Sequence, residues 1–298
     1  MSTAVVSVPT IPSMSDSPVS VVPPQAHSDA EMIALWLNGQ ASPHTRANYR
    51  RSALHFLAFV AKPLARVTVG DLQAWGAASN GLAPASRANR LAAIKSLFST
   101  AHRLGYLPFN PGGVIKLPAI KRTLAERILA EAEVQRLLAL ESNPRNRALL
   151  TLLYAAGLRV SELCGLRWRD LRPRDRGEAQ LAVLGKGGRT RVILLPARVA
   201  ALLGPPGSPD APLFASRKGG GALHRGQVHR LVQAAARRAG LAAPVSPHWL
   251  RHAHASHALE RGASLPLVQQ TLGHASVATT GIYLHARPSD SSARYLAV

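Results

Sequence analysis

The spacing of apolar residues along the chain changes at residues 179–196, and this change constrains the fold more than any other feature. The stretch "AQLAVLGKGGRTRVILLP" places two apolar runs on either side of Gly187-Gly188, a pattern typical of a β-hairpin. The other strongly patterned stretches repeat their apolar residues at helical spacing. The sequence therefore predicts a mainly α-helical protein with one small antiparallel sheet in its second half.

Composition and periodicity divide the chain into four segments. The first is rich in Ser, Pro and Val, carries almost no charge and has no periodicity, which predicts a disordered tail. The third is short and contains a basic Lys-Arg step. The predicted segments are the tail at 1–28, a helical N-terminal domain at 29–117, a linker at 118–126 and a C-terminal domain at 127–298.

Local signals mark the helices of the N-terminal domain. Ser42 followed by Pro43 predicts a helix start, with Ser at the N-cap and Pro at the first helical position. Thr68 and Asp71 have the spacing of a capping box, with Asp in place of the usual Glu or Gln. Gly105 is suited to end a third helix, over "PASRANRLAAIKSLFSTAHRLG".

These predicted helices are amphipathic and carry basic faces. The helix that follows Ser42 has its apolar stripe at Ala53, Leu54, Leu57 and Val60. Basic residues that lie largely outside the apolar stripes of this domain are Arg46, Arg50, Arg51, Arg87, Arg90 and Lys95. They are candidates for contact with DNA, and the alternative is that they only keep the surface soluble.

The charge balance favours a polyanionic partner. Lys and Arg number 36 against 15 Asp and Glu, which gives a formal net charge of +21. Nucleic acid is the first candidate, because each neutralised phosphate releases counterions, and an anionic membrane is the second. We see no apolar run of about 18–20 residues and no secretory signal, so membrane insertion is not expected. Cys164 is the only cysteine, which excludes an intramolecular disulfide and fits a reducing cytosol.

Helical patterns dominate the C-terminal domain outside the hairpin. An apolar helix is predicted to end near Gly157, and a second helix follows over "VSELCGLRWRDL". Further helices are predicted over "RGQVHRLVQAAARRAG", "WLRHAHASHALERG", "SLPLVQQTLG" and the stretch that contains Tyr283.

Six side chains in this domain could carry chemistry together, although each has a simpler explanation alone. They are Arg159, Lys186, His248, Arg251, His274 and Tyr283. Arg159 could pair with Glu162, Lys186 could be an ordinary turn lysine, and an isolated tyrosine is usually a core residue. The histidines near residue 250 lack cysteine or acidic partners at ligand spacing, so we expect no metal site and no cofactor.

As a set, these residues favour phosphoryl transfer without a metal ion. Arginine binds phosphate oxygens through two parallel hydrogen bonds and stays charged, so two arginines can stabilise a phosphoryl transition state. A tyrosine could then attack phosphorus. Ionising it at neutral pH costs on the order of 4 kcal/mol, which nearby cations would lower, and a histidine could accept the proton. A lysine at a hairpin tip is suited to protonate the leaving oxygen.

These residues resemble the tyrosine recombinase (phage integrase-like) family, most closely the Xer-type recombinases. The segments that carry the likeness are "LLYAAGLRVSELCGLRWRDL", "VLGKGGRTRVILLP" and "PHWLRHAHASHALERGASLPLVQQTLGHASVATTGIYLH". The likeness implies Arg159 and Arg251 as the phosphate clamp and Lys186 as the general acid to the 5′-oxygen. It also implies that His248 assists proton transfer, that His274 hydrogen-bonds the scissile phosphate, and that Tyr283 forms a 3′-phosphotyrosyl intermediate.

The resemblance also implies partners and shape. We expect an N-terminal core-binding domain and a catalytic domain that form a C-shaped clamp around double-stranded DNA, with Arg189 as a further DNA contact. The active assembly would be a homo- or heterotetramer on synapsed sites, located in the cytoplasm with the nucleoid, and "SSARYLAV" would dock on a neighbouring subunit. His254 and Gly281 depart from the family pattern, which predicts a packing change and a locally loose nucleophile segment, respectively.

The expected activity is site-specific cutting and rejoining of DNA, in chromosome or plasmid dimer resolution or in integration and excision of a mobile element. Three other functions compete with it: a DNA-binding protein of the same fold that does not cut, a type IB topoisomerase, and a basic peripheral membrane protein. The right residue type at all six positions argues against the first of these. Lack of a helix that combines a basic face with bulky apolar anchors argues against the last.

Overall fold

The computed structural model describes residues 25–119, 124–185, 188–217, 219–274 and 276–283. It divides into two compact units, Met1–Lys121 and Arg122–Val298. Most of the predicted tail, together with Lys186 and the C-terminal "SSARYLAV", lies outside the described residues. The last residues assigned to the tail belong to the first unit, because Ala26 is buried in its core and Ser28 caps its first helix.

Four helices build the first unit: α1 (Asp29–Asn38), α2 (Pro43–Val60), α3 (Val69–Ala78) and α4 (Pro84–Arg103). The predicted capping signals are confirmed, since the Ser42 side chain caps α2 and Thr68 forms a capping box with Asp71 at the start of α3. Helix α4 ends two residues before Gly105, which has the left-handed conformation expected of a helix stop.

The predicted apolar stripe of α2 is partly wrong. Leu54 is 62% exposed, whereas Phe56 is fully buried and contacts the rings of Trp75 and Phe98. The buried face therefore runs through Ala53 and Phe56. Phe56 lies about 200° around the helix from Leu54, so the two side chains point in nearly opposite directions. A large aromatic anchor outweighs the leucine in setting the rotation of the helix.

The second unit is also mainly helical and contains one small sheet. Its elements are α5 (Glu131–Ala139), α6 (Pro144–Ala155), α7 (Val160–Gly165), β1 (Leu171–Pro173), β2 (Ala179–Leu184), β3 (Thr190–Leu195), α8 (Ala197–Ala200), α9 (Arg225–Arg238), α10 (Pro247–Glu260), α11 (Leu265–Leu272) and α12 (Val277–Gly281). The core surrounds α6, whose leucines 149, 150, 152 and 153 are fully buried. The predicted mainly α fold with a small antiparallel sheet is confirmed.

The predicted hairpin is present, and the sheet has one strand more than the sequence indicated. Strands β2 and β3 pair antiparallel from Ala179↔Leu195 to Leu184↔Thr190, and β1 pairs with the other edge of β2. Alternate residues of the hairpin, such as Val183 and Ile193, face the core.

The helix predicted over residues 160–171 is too long, because α7 ends at Gly165. After α7 the backbone forms hydrogen bonds to a distant segment instead of continuing the helix. The Trp168 amide donates to the Ala211 carbonyl, and the Leu213 amide donates to the Leu166 carbonyl. These bonds replace the intrahelical bonds of the last predicted turn.

None of the helices in the described part of the chain is long and apolar enough to cross a bilayer.

Candidate active site

The turn between α6 and α7 brings the first arginine into place. Gly157 follows α6 with φ +56, and a side chain there would meet the Leu272 and His254 side chains at less than 3.0 Å. The close packing at this glycine sets α10 and the end of α11 against the turn. Two residues later Arg159 stands as the half-buried N-cap residue of α7.

Arg251 lies buried on α10, with 3% of its surface exposed. Its terminal nitrogens donate to the carbonyl of Gly157 and, at 2.7 Å, to the carbonyl of Leu272. Burial, followed by repulsion from Arg159, lowers the pKa of Arg251 to about 10, so the side chain is still a cation at neutral pH. Two of the five N–H donors of a guanidinium are used in these bonds, which leaves donors for a ligand.

Glu162 is a buried carboxylate that ties the arginines together. Its oxygens accept from the Arg159 backbone amide and side chain at 2.8 Å, and from Arg191 at 2.8 and 3.0 Å. Arg251 lies 4.0 Å from the same carboxylate. Burial raises the pKa of Glu162, but the hydrogen bonds from Arg191 and Arg159 outweigh it, and the pKa stays below its ordinary value. Arg159 therefore pairs with Glu162 and still lies beside Arg251, so the ion pair does not exclude a role for Arg159 in the site.

Arg191, on β3, links the sheet to the segment before His274. Its Nε donates to the Thr271 carbonyl at 2.7 Å, and its side chain packs against Gly273, where an added Cβ would come within 3.1 Å of it. Arg159 reaches the same segment through a 3.4 Å bond to the Gly273 carbonyl. The two arginines therefore both bond to backbone carbonyls at the end of α11.

His274 and Tyr283 lie at the two ends of α12. The His274 Nδ1 is 2.9 Å from the Thr280 Oγ1, which fixes the ring to the helix that follows. The rings of His274 and Tyr283 are parallel within 8°, with centroids 6.5 Å apart. Burial and then the charge of Arg251 lower the pKa of His274 to about 4, so the ring is neutral at pH 7.

Tyr283 is only 4% exposed and packs with Ile128, Ala255, Val268 and Leu272. Burial raises the pKa of its hydroxyl, and Arg251 and Arg159 oppose that change. The expected effect of the nearby cations is therefore present but smaller than the effect of burial. The hydroxyl bonds to the His252 Nδ1 at 2.7 Å.

His248 lies one turn before His252 on α10, and their ring centroids are 6.3 Å apart. Its surface remains solvent-accessible, but the surrounding protein still desolvates the ring, and this lowers its pKa together with the charges of Arg251 and Arg159. The site thus brings together five of the six predicted residues: Arg159, His248, Arg251, His274 and Tyr283. Lys186, the sixth, lies outside the described residues, next to Gly185 at the end of β2.

Three functional candidates were missed by the sequence reasoning: Arg191, His252 and, as a shared partner of several arginines, Glu162. The signal for Glu162 was present, since its spacing from Arg159 already indicated a pair. Arg191 lies two and four residues before the buried Ile193 and Leu195, on the same face of β3, so the strand pattern could have indicated that it faces the domain interior. Nothing in the sequence distinguished His252 from the other histidines of α10.

The predicted DNA-contact residues differ in their exposure and in the bonds that they already make. Arg51 and Arg90 line a cavity of about 470 Å³ between α2 and α4, together with polar side chains such as Asn48 and Asn89. The Lys95 side chain instead bonds within its own unit, where its ammonium donates to the Ile115 carbonyl at 3.0 Å. The arginines at 46 and 50 are exposed on α2, Arg87 is half-buried on α4, and Arg189 is exposed before β3.

His254, which departs from the family pattern, is a packing residue in the structure. Its ring lies against Gly157, and burial lowers its pKa to about 4. Across the described segments, no group of three or more His, Cys, Asp or Glu side chains is arranged to hold a metal ion.

Comparison with known proteins identifies the class. Residues 127–290 match the phage integrase family, and residues 32–105 match the phage integrase N-terminal SAM-like domain. The chain therefore belongs to the phage integrase family.

Its relatives are tyrosine recombinases. The chain is 35% identical over 266 residues to the tyrosine recombinase XerC of Xanthomonas campestris pv. campestris (strain B100), covering 84% of this chain and 81% of that protein. It is 36% identical over 258 residues to the XerC of Xylella fastidiosa (strain 9a5c), covering 82% and 86%. The chain is a tyrosine recombinase that resembles the Xer type most closely.

Solved structures share the fold. A XerH site-specific recombinase bound to a palindromic difH substrate, in a post-cleavage complex, has a TM-score of 0.70 and 24% identity, covering 91% of this chain and 85% of that one. A lambda integrase tetramer bound to a Holliday junction also has a TM-score of 0.70, with 19% identity and 90% and 80% coverage.

Proposed function

We propose that this protein is a site-specific recombinase that cuts and rejoins duplex DNA through a covalent bond between Tyr283 and a 3′-phosphate. The observation that carries the proposal is the position of the Tyr283 hydroxyl, which shares one site with Arg159, Arg251 and His274. Two cations can bind the scissile phosphate there, beside a neutral histidine donor and an oxygen nucleophile. Membership of the family supports this assignment.

Each residue has a proposed role. Arg159 and Arg251 bind the non-bridging phosphate oxygens and stabilise the charge that develops in the transition state. His274 hydrogen-bonds the phosphate, and His248 assists proton transfer. Lys186 protonates the departing 5′-oxygen. Because the phosphotyrosine ester preserves the phosphodiester energy, the strand can be rejoined without ATP.

The DNA-facing residues are proposed from their positions. Arg51 and Arg90 are well placed to contact phosphates from the cavity between α2 and α4, and Arg189 is exposed at the hairpin. The net charge of +21 supports binding to a polyanion. We assign Lys95 the weakest role among the predicted contacts, since its ammonium already bonds to a backbone carbonyl.

The proposed biological role is resolution of chromosome dimers, in the cytoplasm at the nucleoid, by a tetramer on two synapsed sites. Similarity to XerC recombinases supports this role over integration or excision of a mobile element. A similar fold assembled as a tetramer on a Holliday junction supports the assembly. Whether the tetramer contains one kind of subunit or two is tested by reconstituting the reaction from this chain alone.

A covalent-adduct assay tests the enzyme assignment. Nicked duplexes, selected from a randomised library by binding to the protein, are incubated with it and then denatured. We expect a protein–DNA adduct that disappears in Tyr283→Phe. Tyr154→Phe is the matched control, because Tyr154 also bonds to a histidine of α10, at 2.9 Å from the His257 Nδ1. An adduct that survives Tyr283→Phe contradicts the proposal, and relaxation of supercoiled DNA without a specific site would favour a topoisomerase.

A further inference from the structure

The Tyr283 hydroxyl has a defined proton acceptor in the structure. It lies 2.7 Å from the His252 Nδ1, with the ring centroids 5.7 Å apart and the rings tilted by 45°. His252 follows Arg251 directly on α10, so the same turn of helix holds a phosphate-binding cation and a base. This short contact is aimed at the atom that must lose a proton before or during attack on phosphorus.

The other two histidines of the site are less well placed for this step. His248 is one helical turn away, and its ring faces the ring of His252 at 6.3 Å between centroids. His274 engages its Nδ1 with the Thr280 hydroxyl, and its ring centroid lies 6.5 Å from that of Tyr283. Among the described residues, His252 is the histidine whose ring nitrogen bonds to the nucleophile.

His252 is neutral in the free protein, so its Nδ1 can accept a proton, but its low pKa makes the ring a weak base until a phosphate is bound beside it. Burial, then the charges of His248, Arg251 and Arg127, lowers its pKa to about 4, so a lone pair is available at pH 7. Facing it are His248 and Arg251 from its own helix, Arg127 from the turn before α5, and Tyr283 from beyond α12. Arrival of the DNA phosphate adds negative charge beside these cations, which favours the protonated ring at the moment of transfer.

We propose that His252 is the general base for Tyr283, a catalytic role that rests on the recombinase function proposed above. In cleavage, the Tyr283 oxygen forms a bond to phosphorus, the bond from phosphorus to the 5′-oxygen breaks, and the tyrosine proton passes to the His252 Nδ1. The 5′-oxygen receives its own proton from the acid assigned to Lys186. In rejoining, the 5′-hydroxyl attacks, the tyrosine oxygen leaves, and His252 returns its proton to it.

The chain supplies a matched control for this role. On the same helix, the Tyr154 hydroxyl lies 2.9 Å from the His257 Nδ1, which can accept from it, while the His257 Nε2 lies 3.0 Å from the Leu129 carbonyl. His257 is buried in the structure and lies outside the phosphate site. Substitution of either histidine by glutamine removes a ring and a tyrosine contact, but only one of the two tyrosines is the proposed nucleophile.

The test measures covalent-adduct rates between pH 6 and 9.5 on the selected nicked duplexes. We expect His252→Gln to lose about 100-fold in rate at pH 7 and to recover as the pH rises, because hydroxide can then replace the missing base. His257→Gln should show a smaller deficit that does not change with pH. A wild-type rate for His252→Gln, a deficit that is constant with pH, or a faster rate that marks His252 as a restraint would overturn the proposal.

Chemical rescue separates a base from a packing residue. Imidazole should restore adduct formation to His252→Ala, whose missing ring leaves room for it, and should not affect His257→Ala; thermal melting first confirms that both variants are folded. No rescue in a folded His252→Ala would count against the base. Failure of the proposed recombinase function would give a different result from failure of the base assignment. The wild-type protein would then form no adduct, or would form one that persists in Tyr283→Phe.

Discussion

Arg191 and Glu162 form a two-point ion pair, with Nη1 3.0 Å from Oε1 and Nη2 2.8 Å from Oε2. The pair joins β3 to α7, and both side chains are less than 10% exposed. The same carboxylate accepts from Arg159 and lies within 4.0 Å of Arg251. One buried anion therefore contacts or lies near three cations, which leaves an excess of positive charge for a phosphate and sets the geometry of the proposed phosphate clamp.

Loss of the Glu162 charge should destabilise the catalytic domain and abolish the adduct. Glu162→Gln leaves Arg191 and Arg251 buried without a counter-ion, and breaking a buried pair in this way costs about 3–5 kcal/mol. Thermal unfolding and the adduct assay report the two effects. Glu178→Gln, at an exposed position before β2, is the control and should match the wild type in both.

Arg191→Lys should lower the adduct rate while keeping the charge. Lysine cannot form the two-point bond to Glu162 and also reach the Thr271 carbonyl, so the segment that positions His274 loses a support. A loss of about 1–2 kcal/mol corresponds to a rate reduced roughly 5- to 30-fold. Arg198→Lys, on the exposed surface of α8, supplies the comparison, and equal rates in the two variants would refute a positioning role for Arg191.

DNA binding should depend on Arg51 more than on Lys95. Arg51 lines the cavity between α2 and α4, whereas Lys95 already bonds to the Ile115 carbonyl. Each lost phosphate contact reduces the slope of log affinity against log salt by about 0.9. We therefore expect a smaller salt slope in Arg51→Ala and an unchanged slope in Lys95→Ala, measured by fluorescence anisotropy between 50 and 300 mM salt. The reverse order would show that Lys95 turns to the DNA on binding.

The sequence was sufficient for features that depend on local patterns. Ser42 with Pro43 and Thr68 with Asp71 start their helices as predicted, because a capping side chain bonds to amides only two or three residues away. The two apolar runs on either side of Gly187-Gly188 likewise identified the hairpin, whose strands pair as β2 and β3. The family likeness selected six site residues that no single segment identifies, and five of them lie in one site, while Lys186 lies outside the described residues.

Features that depend on distant segments could not be predicted. The third strand, β1, has three residues and exists because β2 is available to pair with it. The end of α7 is set by backbone bonds to residues 211–213, more than 40 positions further along the chain. The contact between His252 and Tyr283 spans 31 residues and two helices, so no spacing rule selects His252 from its neighbours.

Stability should fall as the pH drops from about 7 towards 4. Half-buried His254 is desolvated by its packing and has a folded pKa of about 4, below the ordinary value, so the unfolded chain binds a proton in this range that the folded protein does not. Each such histidine contributes up to about 1.4 kcal/mol per pH unit, and the effect levels off below the folded pKa. Calorimetric melting temperatures should therefore decline less steeply with acid in His254→Leu. His229→Gln, on the exposed surface of α9, should keep the wild-type slope.

Gly281→Ala tests whether the freedom of α12 contributes to attack by Tyr283. A Cβ at this position would meet no atom within 4 Å, so alanine can be introduced without strain. It should stabilise the helix by roughly 1 kcal/mol, because glycine has a low helix propensity. If Tyr283 must leave its buried position to reach the phosphate, this added stability should slow adduct formation up to about 5-fold. Single-turnover adduct kinetics measure the effect, and an unchanged rate with a raised melting temperature would show that the movement of α12 does not limit cleavage.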